Sequence, residues 1–109
     1  RDELFGSFFP PTDKAVAYFM NRPAAETLRR FSDPAFKTPE AEDVRAVVQI
    51  LDLSADQVAD LVGVKDGRAV RRWLTAPTSK THAQIDYATW RLLLLEAGLV
   101  PLRRKRTGI

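Results

Sequence analysis

Arg68, Arg71 and Arg72 stand three and four positions apart, the spacing that gathers side chains on one face of a helix. A guanidinium presents a planar fork of donors, which pairs two-fold with phosphate oxygens or with the O6/N7 edge of guanine. Held together on an isolated helix, such charges repel one another, and an acceptor-rich partner relieves the repulsion. The bland alternative is a solvated cationic face. Lys65 and Lys80, in a turn and a loop, suit phosphate contacts better than base reading. Gln57 lies near a helix start, a natural place to receive a phosphate, although capping by itself also accounts for it. Gly67, opening the arginine helix, joins these expected contacts, and the run Arg103, Arg104, Lys105, Arg106 is expected to add affinity without sequence preference.

Charge is spread unevenly along the 109 residues. Residues 1–64 hold seven basic and eleven acidic side chains and residues 65–109 hold ten and three, so a chain of net +3 is −4 in its first part and +7 in its second. A basic half that begins at the arginine helix is the electrostatic footprint of a nucleic-acid binder. Other chemistries lack their residues. The chain has no cysteine, which removes disulfides and thiolate metal sites and suits a reducing cytoplasm. His82 stands alone in a polar loop without a second imidazole at ligand spacing, and reads as a surface residue. No Ser-His-Asp group, phosphate-binding glycine loop or catalytic carboxylate pair stands out, and Glu40, Glu42 and Asp43 read as compensation of a helix dipole. No catalytic residue, cofactor or metal is therefore expected, and the chain does not read as an enzyme. The longest apolar run, Leu92–Leu95, is far below the roughly 20 residues that span a bilayer, so no membrane partner is expected. The chain starts at Arg1 rather than Met and shows no secretory signal, so its native N-terminus is expected to lie upstream.

Helical periodicity dominates. Thr12 is expected to cap a short helix reaching about Met20, and Pro23 to open another reaching about Phe31. After a loop, Thr38 as N-cap and Pro39 at the first position predict a helix over 39–52, with Val44, Val47, Val48 and Leu51 as its buried stripe. Ser54 and Gln57 form a capping-box pattern for the next helix, whose inner face is Val58, Leu61 and Val62. Gly63 supplies the positive φ of a sharp turn, and Asp66 caps a helix with Val70, Trp73 and Leu74 inward. A polar connection over 75–85 leads to a last helix from Asp86 or Tyr87 to Ala97, stopped by Gly98 and Pro101. Trp73 and Trp90 fall at helical spacing with Val70, Leu74, Leu93 and Leu94, which makes them core residues rather than stacking platforms. Leu92, Leu95 and Leu99 lie off the inward stripe of Trp90, Leu93, Leu94 and Ala97. Two covers remain open: the N-terminal Phe5, Phe8 and Phe9, or a second subunit in a homodimer.

Residues Leu53-Ser54, Val58 to Val64, Val70 and Trp73 together resemble the Cro and lambda-repressor-like helix-turn-helix family. The resemblance extends over the flanking helices 39–52 and 86–97. It departs at Ala55, where the family often has Gln, and in a turn one residue longer, Lys65-Asp66-Gly67-Arg68; residues 1–37 match nothing in it. It implies an all-α helix-turn-helix domain over 38–100 with an N-terminal helical extension over 1–37 and a basic tail over 101–109. By the same resemblance the chain is a sequence-specific double-stranded DNA-binding regulator, a repressor or activator of a bacterial or mobile-element system, working in the cytoplasm at the nucleoid. An accessory factor for replication, conjugation or recombination is the nearest alternative. A protein-interaction adaptor that has kept the fold and lost DNA binding is another.

Overall fold

The computed structural model describes residues 22–102. Among them are a 3₁₀ turn at Ala25–Leu28 and four helices, α1 (Ala41–Leu51), α2 (Ala55–Val62), α3 (Gly67–Leu74) and α4 (Tyr87–Glu96), with no strand. The described chain is all-α. The helix expected over 12–20, the aromatic residues Phe5, Phe8 and Phe9, and the basic run 103–106 lie outside the described residues.

The expected start of the first helix is corrected by two residues. Glu40, not Thr38, is the N-cap, with extended φ and ψ of −93° and 172°, and Pro39 precedes the helix as a buried residue. The reason is Asp43, whose Oδ2 reaches back to accept the Glu40 N–H at 2.8 Å while its Oδ1 accepts the Ala24 N–H at 2.8 Å. One carboxylate thus satisfies two orphan donors and ties the preceding segment to α1. At the other end Asp52 takes the left-handed conformation with φ 57°, which a short polar side chain tolerates better than most.

The next two helices follow their caps. Ser54 Oγ accepts the Gln57 N–H at 3.1 Å and Gln57 Oε1 accepts the Ser54 N–H at 2.9 Å, the reciprocal pattern expected for α2. Gly63 closes that helix at φ 82°, and its N–H donates to the Ala59 carbonyl at 2.8 Å. Eight-residue helices are marginal in water by themselves, so α2 and α3 depend on the apolar surface they share. Val44, Val47, Val58, Val70, Trp73, Trp90, Leu93 and Leu94 form that common core.

The second short helix expected from Pro23 to Phe31 is only the 3₁₀ turn, and Arg29 beyond it is extended at ψ 162°. Side chains of α4 take the carbonyls at which a longer helix would continue. The indole N–H of Trp90 donates to Thr27 O at 2.8 Å, and Arg91 Nη1 donates to Leu28 O at 2.8 Å. Trp90 is fully buried and Thr27 almost so, which makes this bond part of the core. Of the three leucines left over by the sequence pattern, Leu99 packs against the core, its N–H returning to the Leu94 carbonyl at 2.9 Å. Leu92 and Leu95 stay half-buried. Among the described residues no helix is long and apolar enough to cross a membrane.

The cap of α4 titrates. Thr89 donates its hydroxyl to Asp86 Oδ1 at 2.7 Å and its N–H to Oδ2 at 3.2 Å, and that hydroxyl bond above all holds the Asp86 carboxyl below its ordinary value of 3.8. A depressed folded value stabilises above the ordinary carboxylate range and loses its effect as pH falls through the folded value. Asp86→Ala is expected to cost about 1 kcal/mol at neutral pH, the worth of an N-cap. The gap in Tm between the two proteins should close on acidification below pH ~4; a gap constant to pH ~2 would contradict it.

Candidate nucleic-acid interface

The arginine helix is held at both ends, and the two ends are held differently. At its start Asp66 Oδ1 accepts the Ala69 N–H at 3.3 Å, the expected cap. Asp56, from the first turn of α2, accepts the Gly67 N–H at 2.9 Å. Gly67 is buried beneath that aspartate, and a Cβ there would strike Asp56 Oδ1 and come within 2.9 Å of the Asp56 backbone nitrogen. At its end the exposed carbonyls find donors from elsewhere. Ala83 N–H and Thr75 Oγ1 both donate to Arg72 O at 3.0 Å, and Arg45 of α1 donates to Leu74 O. His82 Nδ1 lies 3.0 Å from Thr75 O, so that nitrogen carries the proton. The connection after α3 is therefore folded back onto it, and His82 is half-buried in this contact rather than a plain surface residue.

With Val70 and Trp73 in the core, Arg68, Arg71 and Arg72 face solvent together. Arg72 Nε donates to Thr81 O at 3.0 Å, while Arg68 and Arg71 have no hydrogen bond or ion pair with any described residue. Between α3 and the 76–81 loop runs an open groove of about 400 Å³ lined by Arg68, Arg71, Arg72, Thr75 and Thr81, with walls almost wholly of carbon. Lys65 in the turn before α3 and Lys80 in the loop after it are both exposed.

Two expected contacts have other occupations. Gln57 spends its amide oxygen and its backbone N–H on the α2 cap, which leaves only its exposed NH₂ group for a ligand. Gly67 is covered by Asp56, so its part is to let α2 and α3 approach. Asp56 and Asp66 also occupy the Gly67 and Ala69 N–H groups at the start of α3, and two carboxylates there oppose an anion at the helix N-terminus. On α3 and its two flanking loops the cationic groups left to face a ligand are thus the arginine face, Lys65 and Lys80. Among the described residues no three His, Asp or Glu side chains converge as a metal site.

Sequence reasoning missed Arg45, Asp56, Thr75 and Thr81. Arg45 acts across 29 positions, a pairing no local pattern reveals. Asp56 had a signal in Gly67, since a glycine at the first position of a helix asks what approaches it. No protein-family model, curated protein or solved structure matches the chain.

Gly67→Ala is expected to lower stability by about 1–3 kcal/mol, the usual cost of overpacking, despite alanine's better helix propensity. Adding Asp56→Ala removes the carboxylate clash but also the acceptor of the residue 67 N–H, and it leaves the 2.9 Å approach to the backbone nitrogen, so rescue should be partial at most. Thermal melts of the two variants check this, and an unchanged Tm for Gly67→Ala would refute the close approach.

Proposed function

We propose that α2, the turn at residues 63–66 and α3 act as a helix-turn-helix, and that the chain is a sequence-specific double-stranded DNA-binding transcriptional regulator. The observation that carries this reading is the two-sided character of α3. Val70 and Trp73 fix one face in the core, while Arg68, Arg71 and Arg72 stand together on the other. A short helix with a rigidly seated back and a cationic front is the shape that enters a major groove. Exposed Lys65 and Lys80 flank it in the loops, where phosphate contacts fix orientation on a duplex. The resemblance of residues 53–73 to the Cro and lambda-repressor-like family points the same way, toward a repressor in a bacterial or mobile-element setting. In this reading Arg71 and Arg72 read bases, the lysines hold phosphate, and Arg103 to Arg106 add sequence-independent attraction.

The protein acts as a homodimer in this proposal, with half-sites about 34 Å apart. Support comes from Leu92 and Leu95, which the fold leaves half-covered on α4. The adaptor reading has one observation in its favour. Phe31 is 67% exposed, and its ring lies 5.1 Å from that of Tyr87 and 5.9 Å from that of Phe36, which makes an aromatic patch.

Selection of bound sequences from a random duplex pool tests the DNA reading directly, and recovery of no preferred sequence would overturn it. On the selected site, Arg71→Ala should cost about 1–3 kcal/mol and relax preference at one or two base pairs. An equal loss on selected and random duplexes would make Arg71 a phosphate contact instead.

Leu95→Glu should yield a folded monomer that binds the full site more weakly. Light scattering that already finds a monomer in the unmodified protein, free and on DNA, rules the dimer out.

A further inference from the structure

The groove beside α3 has a chemistry of its own. Its walls are almost wholly carbon although three guanidinium groups stand around it. The threonine hydroxyls face away, since Thr75 Oγ1 donates to Arg72 O at 3.0 Å and Thr81 Oγ1 lies 3.0 Å from Ser79 Oγ. What remains to line the groove is threonine methyl and arginine stem. A phosphate oxygen seated against those walls would give up water and meet carbon, and only a guanidinium turned in from around the groove could offset that loss. A methyl group loses nothing and gains contact area.

Arg72 adds a second element. Its Nε is engaged by Thr81 O at 3.0 Å, so the hydrogen-bonding edge left to it is the pair Nη1 and Nη2. Two parallel donors match the adjacent O6 and N7 acceptors of guanine. Because Arg72 is also a wall of the groove, whatever fills the groove must lie beside the base that Arg72 grips. In the major groove the exposed methyl belongs to thymine, and 5-methylcytosine places the same group at the same ring position.

We infer that this groove reads the 5-methyl group of a pyrimidine neighbouring a guanine held by Arg72. The inference rests on the duplex-binding reading above and adds what the site recognises. Thymine and 5-methylcytosine are equivalent for it, and cytosine and uracil are equally deficient. Thr75 and Thr81 become specificity-determining residues through their methyl groups.

The test uses the selected duplex and the full chain. Each thymine next to a guanine is replaced in turn by uracil, which deletes one methyl and keeps the pairing. At one position binding should weaken about fourfold, the worth of one buried methyl group. At that position, in a guanine-paired background, 5-methylcytosine should bind about fourfold tighter than cytosine. The double variant Thr75→Ser, Thr81→Ser keeps both hydroxyls and should retain its Tm while losing the difference between thymine and uracil. Selective binding that is indifferent to every thymine-to-uracil replacement overturns this inference alone. Failure to recover any selective duplex overturns the DNA reading and the inference with it. A serine variant that still discriminates fully removes the groove as the reader.

Discussion

The contact between Gly67 and Asp56 sets the direction in which α3 leaves the body of the molecule. A backbone can come this close to another only where no Cβ intervenes, and the carboxylate then locks the approach by accepting the Gly67 N–H. The relative pose of α2 and α3 is thereby fixed within narrow limits, before any side chain on the outer face is considered. Val70 and Trp73 convert that pose into a buried face, and Arg68, Arg71 and Arg72 are where they are because of it. The same aspartate makes the helix start negative. The guanidinium groups of Arg71 and Arg72 lie further along the helix, toward the loop after it.

A second set of bonds closes the far end. Arg45 reaches from α1 to the last carbonyl of α3, favourably for the helix dipole, and the 75–85 segment folds back through Ala83 and His82. Behind them α4 anchors the N-terminal segment through Trp90 and Arg91. The 3₁₀ turn is thus a buttress of the helical core rather than a separate appendage. No buried side-chain nitrogen or oxygen among the described residues lacks a partner.

Much of this was legible in the sequence, and the reasons are local. Ser54 with Gln57, Gly63, Asp66 and Asp86 act within a few positions of themselves, so the boundaries of α2 and α3 and the start of α4 could be read directly. The inward stripe of Trp90, Leu93 and Leu94 follows from helical period alone. The misplaced start of α1 came from reading Thr38-Pro39 as a cap. Asp43 is claimed by Ala24 as well as by Glu40, and the first of those bonds spans 19 positions. The N-terminal helix that shrank to one turn was lost for a similar reason, because its carbonyls serve side chains 63 positions away. In the candidate site, the arginine face was visible as a spacing. The groove was not, because its wall is made by a loop whose course depends on hydrogen bonds to α3.

The bond from Arg72 to Thr81 has a thermodynamic side. A free arginine carries roughly 2 kcal/mol of rotamer entropy, some of which is lost whenever the side chain is immobilised against a partner. Folding has already restricted Arg72 about its Nε. Arg68 and Arg71, with no described partner, keep their freedom until something binds them. The three arginines of one helix would therefore meet a ligand on unequal terms. One is a stiff probe whose ordering was met during folding, and two are searching arms that pay for contact when they make it.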